Sequence, residues 1–386
     1  MKIVIAPDSF KGSLSSVEAA FSIEKGIKKA FPEAETLLLP VGDGGEGTLD
    51  TLVAATKGRR VPVRVTGPLG KKVNSEYGVL GDGKTCVIEM AKASGLWLVP
   101  LGELNPLKAT TFGTGELIKQ ALDDGFKSFI LAVGGSATND GGAGMLQALG
   151  LKILDKEGKE LSFGGAELSR INSIDISNFD SRIQTCTFLI ASDVQNPLIG
   201  PDGASYVFGP QKGATPENVE LLDRSLADWA EAVEKVTGIH LHDLVGAGAA
   251  GGIGGAFQAF FPAEIRRGID VVIEYTGLHQ ALVDADLVIT GEGQVDFQTA
   301  SGKTPMGVAQ AAKLRNIPTV ILAGSIGKGI DALYQYGVVS VNSIINKPMQ
   351  LNEAIESAAE LLENGTEQVV RSYFYYRKQN QMKVGL

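Results

Sequence analysis

The stretch Val133-Gly134-Gly135-Ser136-Ala137-Thr138-Asn139-Asp140-Gly141-Gly142-Ala143-Gly144 limits this chain more than any other. An apolar run, residues 129–133, leads into it, and a helix-like segment, residues 145–149, leaves it. Strand, glycine loop, helix is the arrangement that aims backbone N–H groups and a helix N-terminus at an anion. One or two glycines would suit a tight turn. Here five glycines (Gly134, Gly135, Gly141, Gly142, Gly144) are interleaved with Ser136, Thr138, Asn139 and Asp140. Hydroxyls, an amide and a carboxylate at that density point to a phosphate or carboxylate site.

The chain is long enough, at 386 residues, for two or three domains and an ample core. Hydrophobic residues make up 44% and charged residues 20%, a globular balance. The formal net charge is −9 with no long basic run, which argues against nucleic acid and against an anionic membrane surface as partners. Cys86 and Cys186 each lie in an apolar run and read as buried free thiols of a reducing compartment. The apolar run before Pro7 is too short for a signal segment, and no run approaches a membrane span, so the expected location is cytoplasmic. Histidine is scarce (His240, His242, His279), so carboxylates and lysines must carry the chemistry. His240 and His242 have the spacing of a metal pair on a strand, but no Cys or third His is near them, and a structural role is the expectation.

Along the chain, residues 3–6 read as a buried strand and residues 16–31 as an amphipathic helix, capped by Ser15 or Ser16. Residues 36–39 read as a second strand, and the loop Asp43-Gly44-Gly45-Glu46-Gly47-Thr48 precedes a helix over 49–55. Residues 77–80 and 85–90 predict a hairpin around Gly81-Asp82-Gly83. Simple alternation returns at residue 285: strands at 287–290, 319–323 and 338–344, with helices at 306–313, 330–336 and 351–376. Five βα units in the two ends match a flavodoxin-like, doubly wound parallel-sheet domain. The expected organisation is a flavodoxin-like α/β domain from 1–66 and 285–386, with a second α/β domain, 67–284, inserted into it.

In an open parallel sheet, ligands bind beyond the strand C-termini at the point where strand order reverses. That point places Asp8, Ser9 and Lys11 beside Glu292 and Asp296, with Asp43 on the same edge. Phosphoryl transfer needs Mg²⁺ held by a few carboxylates, a lysine on the phosphates and N–H groups around oxygens. Asp8, Asp43, Asp193 and Asp296 suit the carboxylate roles, and Lys11 and Lys303 suit an anion. Gly302-Lys303-Thr304 lacks the first glycine of a Walker A loop, because Phe297 stands there. Gly246-Ala247-Gly248-Ala249-Ala250-Gly251 has dinucleotide-site spacing but follows a poor strand, and a close-packed backbone or a substrate loop is expected there.

Taken together, the loops resemble the bacterial-type (class I) glycerate kinase family. The matching segments are residues 6–14, 43–48, 134–142, 192–194, 196–198 and 246–252. Thr290-Gly291-Glu292-Gly293, Asp296, Gln298-Thr299 and Gly302-Lys303 complete them. Gly42 stands where that family often has Ala, and Gln294 where Arg or Ser is common. The tail from Ser372 matches nothing and receives no role. The resemblance implies phosphorylation of D-glycerate by ATP with Mg²⁺, at the 2-hydroxyl in preference to the 3-hydroxyl, in a cleft between the two domains. Asp193 or Asp296 would accept the hydroxyl proton. Asp8 and Asp43 would hold Mg²⁺ or orient substrate, and Lys11 would neutralise phosphate or carboxylate. Gly134, Gly135, Ser136, Thr138, Asn139, Asp140, Gly141 and Gly142 would cradle an anion, with Ser9, Glu292 and Lys303 also contacting substrate or phosphate. Small molecules are the expected partners, and a homo-oligomer is left open. Two rival readings remain: an NAD-dependent oxidoreductase acting on a small hydroxy acid, and a non-catalytic sugar-acid binding protein.

Overall fold

Short buried runs separated by amphipathic segments set the architecture. The computed structural model describes residues 1–375. In chain order the strands are β1 (Lys2–Ile5), β2 (Glu35–Leu38), β3 (Arg59–Thr66), β4 (Lys72–Val79), β5 (Thr85–Glu89), β6 (Ser128–Ala132) and β7 (Lys152–Leu154). They continue with β8 (Ser173–Asp175), β9 (Thr187–Ala191), β10 (Ala263–Arg266), β11 (Leu287–Val295), β12 (Thr319–Ile326) and β13 (Val338–Ser343). Two compact units result: Met1–Asp43 with the described chain from Ile269 onward, and Gly44–Gly268.

In the first unit the sheet order is β13-β12-β11-β1-β2, every neighbouring pair parallel. This is the flavodoxin order, with the reversal at β1 and β11. Continuous apolar runs such as Ile3-Val4-Ile5, fully buried, are what a parallel strand covered on both faces requires. Helix Ser16–Ala30 opens with a capping box, the Ser15 hydroxyl accepting from Glu18 N and the Glu18 carboxylate accepting from Ser15 N. It packs Ala19, Ile23 and Ile27 into one core with Leu361, Leu362 and Val370 of helix Ala358–Tyr373. Gly26 makes that approach possible, because a Cβ there would lie 2.3 Å from the Glu363 carbonyl oxygen.

The second unit has a six-stranded sheet, β10-β9-β6-β5-β4-β3, in which β5, β6, β9 and β10 are parallel and β3 and β4 antiparallel. The turn between β4 and β5 is tied by Asp82, which accepts from Lys84 N and Thr85 N. Helix Pro216–Thr237 starts at the Thr215 cap, ends at left-handed Gly238, and buries Trp229. Cys86 and Cys186 are buried and unpaired. Among the described residues no helix is long and apolar enough to cross a membrane.

Three boundaries differ from the sequence reading. The units divide at 43/44 and 268/269, so residues 44–66 belong to the second unit and 269–284 to the first. The reason is pairing: β3 runs antiparallel to β4 along its whole length. β11 does not stop at Thr290 but continues to Val295, because Gln294 and Val295 keep register with Ser325 and Ile326. The expected helix over 351–376 is two, Leu351–Glu356 and Ala358–Tyr373, separated at Ser357; the end of that range and most of the tail lie outside the described residues.

Candidate active site

In the first unit the parallel ladder carries the acidic groups to one edge. Beyond β1, Ala6 N donates to Ile289 O and Asp8 N to Gly291 O, each at 2.8 Å, while Val41 N donates to Pro7 O at 3.0 Å. These bonds draw the segments after β1 and β2 alongside β11. Asp8 is buried, and its carboxylate accepts from the Thr304 hydroxyl at 2.6 Å and from Ser9 N at 2.6 Å. Burial pushes the Asp8 carboxyl up to about 7, and the charges of Asp43 and Glu292 push the same way. Glu292, half-buried, accepts from the Thr299 hydroxyl at 2.6 Å and is also raised by burial, against the pull of Lys303 and Lys11. Lys11 Nζ lies 3.5 Å from Asp43 Oδ2 with its side chain 74% exposed, and Asp43 is the chief cause of its raised pKa.

The structure thus brings Asp8, Ser9, Lys11, Asp43 and Glu292 together, three of them acidic and mutually repelling. Asp296 follows on the same edge, held within its own loop: Oδ1 accepts from Gln298 N and Oδ2 from the Gln294 amide. Lys303 Nζ donates to Gln298 Oε1. Asp193 belongs to the second unit, after β9, where its Oδ1 accepts from Gly268 N at 2.9 Å.

The loop after β6 is more inward-facing than its composition suggests. Asp140 is buried and accepts from Thr111 N, the Thr111 hydroxyl, Gly142 N and Gly144 N. Gly141 N donates to Gly251 O, and Ala143 N to Asp140 O. The N–H groups of residues 141–144 are therefore spent inside the fold, as are Gly134 N on Gly44 O and Ala137 N on Ser94 O, while Ser136, Thr138 and Asn139 are buried. Gly134 and Gly135 are the accessible members of the loop.

Two other glycine stretches turn out to be packing devices. Gly47 N and Leu49 N, at the start of helix Thr48–Thr56, both donate to Glu89 Oε2 at 3.1 Å. That helix N-terminus already holds an anion, the protein's own buried carboxylate. No strand precedes Gly246, and the stretch 246–255 presses on the loop after β6. A Cβ at Gly251 would lie 2.0 Å from Thr138 O, and one at Gly252 2.7 Å from Gly141 Cα. The dinucleotide fingerprint needs strand, turn and helix, and this segment lacks the strand. His240 and His242 stack face to face at 4.4 Å, and His240 Nδ1 is hydrogen-bonded to Glu234.

Several contributors escaped the sequence reading. Thr304 and Thr299 hold Asp8 and Glu292, and the sole signal for them was their place beside Lys303 and Gln298. Lys212, 2% exposed, donates from Nζ to Ser136 Oγ at 2.8 Å and to Thr138 O at 2.6 Å. Nothing in the Gln211-Lys212-Gly213 segment signals a buried ammonium.

Comparison with known proteins identifies the family. A model of the glycerate kinase family matches residues 3–374. The chain is 52% identical to a glycerate kinase of Bacillus subtilis (strain 168), covering 96% of this chain and 97% of the relative. It is 49% identical to a glycerate 2-kinase of Escherichia coli (strain K12), covering 93% and 94%. A crystal structure of a Salmonella typhimurium LT2 protein assigned as glycerate kinase 2 superposes with a TM-score of 0.86 at 49% identity, covering 98% of this chain and 99% of that one. The chain is an α/β enzyme belonging to the glycerate kinase family.

Proposed function

We propose that this chain transfers the γ-phosphoryl group of ATP to D-glycerate, at the 2-hydroxyl in preference to the 3-hydroxyl. The observation that carries the reading is the cluster of Asp8, Asp43 and Glu292 with Lys11 beyond the C-terminal ends of parallel strands. Burial and the negative charge of Asp43 raise both Asp8 and Glu292, a setting that a cation would relieve, and hard oxygen ligands of this kind suit Mg²⁺. Asp8 and Asp43 would hold the ion, with Glu292 beside them. When bound, Mg²⁺ supplies charge neutralisation on the phosphate oxygens. Thr304 and Ser9 N fix the orientation of Asp8, so the carboxylate is in place before substrate arrives.

Lys11, exposed beside Asp43, neutralises a phosphate or the glycerate carboxylate. Asp193 or Asp296 accepts the proton of the attacking hydroxyl; each is already oriented by a backbone N–H. Gly134, Gly135 and Ser136 of the second unit take an anionic oxygen of the substrate; in the first unit Lys303, whose charge acts on Glu292, suits an anion as well. ADP release dependent on D-glycerate tests the activity, and phosphorus NMR of the product separates 2- from 3-phosphoglycerate. Asp193→Asn and Asp296→Asn separate the two candidate bases: the base variant loses about 10²–10⁴ in kcat. ATP turnover unaffected by D-glycerate would sink the reading.

A further inference from the structure

We propose that Lys212 is a positioning residue: its buried ammonium fixes the Ser136 hydroxyl as a donor to an anionic oxygen of the substrate. The proposal rests on the kinase reading only in naming that substrate. Lys212 ends the short turn Pro210–Lys212, and Gly213 follows at φ 91°, where a Cβ would lie 2.9 Å from Leu104. The backbone is therefore held, and the long side chain runs inward. Nζ donates to Ser136 Oγ and to Thr138 O.

Among the described residues no carboxylate lies within the 4.0 Å ion-pair distance of Nζ. Asp140 is the charged group that Lys212 feels, and its attraction offsets only part of the burial cost, which brings the ammonium down to about 7. A buried ammonium held by neutral oxygens alone is costly, and among the described residues its cost is met, beyond the pull of Asp140, only by Ser136 Oγ and Thr138 O.

What the ammonium does there follows from the hydroxyl. Ser136 is 4% exposed, next to exposed Gly135, and among the described residues its Oγ is bonded to Lys212 Nζ. Because the oxygen accepts from the ammonium, its hydrogen is free to donate, and the positive charge behind it strengthens that donation. The same segment holds two further unsatisfied buried atoms, Thr138 Oγ1 and Asn139 Oδ1. The Asn139 amide nitrogen is already committed to Ser205 Oγ at 2.9 Å. Buried polar atoms without partners are rare in native proteins, and each calls for a water, an ion or a ligand oxygen to complete it. The anionic oxygen is either the glycerate carboxylate or an ATP phosphate, and the test separates them.

Calorimetric titration of the full chain with D-glycerate and, separately, with ATP gives both affinities, alongside kcat and each KM. Lys212→Met and Ser136→Ala are each expected to weaken one ligand by about 10- to 100-fold, the range for a charge-assisted hydrogen bond, and to leave the other within about twofold. The ligand that weakens identifies the oxygen as carboxylate or phosphate. The double variant is expected to be no weaker than the weaker single variant, because both act through one hydroxyl. If Lys212→Met fails to fold, Ser136→Ala keeps the ammonium and removes the donor, and must show the same loss. Unchanged affinity for both ligands in folded Ser136→Ala, or losses that multiply in the double variant, overturns the proposal. A wild-type chain that binds both ligands without releasing ADP overturns the kinase reading and leaves the relay standing.

Discussion

The two units solve opposite electrostatic problems. The first crowds Asp8, Asp43 and Glu292 near exposed Lys11, three carboxyl groups gathered at one edge. The second holds one buried lysine on a hydroxyl and a carbonyl, with no carboxylate within ion-pair distance among the described residues. A cation would relieve the first and an anion would suit the second, the two charges that the proposed phosphoryl transfer would bring. The contrast also corrects a habit of reading glycine loops as phosphate cradles. Of the glycine stretches here, 43–48 leads to a helix end filled by Glu89, and 246–255 is pressed against backbone.

The largest effect should come from Asp8→Asn. If the cluster is a cation site, kcat/KM for D-glycerate phosphorylation falls about 10³-fold, since a general base or metal carboxylate contributes 10²–10⁴. Stability should move the other way: the wild-type carboxyl is held up to about 7 by burial and by Asp43, so its neutral isostere removes a repulsion. Thermal unfolding and steady-state kinetics on one preparation check both. Lower activity with lower Tm would mean that Asp8 serves the fold.

Asp140→Asn should do the reverse in the second unit. Its carboxylate accepts from two glycine N–H groups and from both the N–H and the hydroxyl of Thr111. An amide can accept on one oxygen only, and its NH₂ then faces donors. Denaturant unfolding should show a loss of about 3 kcal/mol. Activity lost with full stability would return Asp140 to the substrate.

How much of this was readable beforehand follows the same contrast. The flavodoxin order was legible because buried runs such as Ile3-Val4-Ile5 and Leu287-Val288-Ile289 have few other uses. The carboxylate edge followed from that order. The domain boundary was not legible, because the helix after β2 shows nothing in its own pattern of where it packs. Leu49 and Val53 lie over Gly78 of β4, where a Cβ would come within 2.6 Å of Val53 Cγ2. Lys212 was invisible for a related reason: burial of a lysine is decided by chain far away in sequence. Asp140 was visible as a polar group, but its direction, inward to Thr111, is a tertiary fact.

Glu89 allows a smaller test in the second unit. Burial raises its carboxyl from 4.5 to about 7 in the folded chain, despite the donors Leu49 N and Gly47 N. Between those values the folded state binds more protons than the unfolded state, so stability falls as pH rises through that window. Relative to Glu89→Gln, wild-type stability should drop by about 3 kcal/mol from pH 4.5 to 8. A difference curve that is flat would mean that the helix N-terminus stabilises the ionised carboxylate enough to cancel its burial.

The smallest effect separates the two lysines. Lys11 is 74% exposed and 3.5 Å from Asp43, so its ion pair is screened and adds little to the fold. Lys11→Ala should leave Tm within about a degree, and raise KM for the anionic ligand about tenfold at low salt. Raising the ionic strength should narrow the gap between wild type and variant, because screening removes the same attraction that the substitution does. Lys11→Arg should restore most of the lost affinity, since an exposed cation needs charge more than geometry. Lys212→Arg should restore none, because the planar fork of arginine cannot replace an ammonium that reaches Ser136 Oγ and Thr138 O from inside a packed core. Equal rescue of both sites by arginine would erase the distinction between an exposed charge that attracts and a buried one that positions.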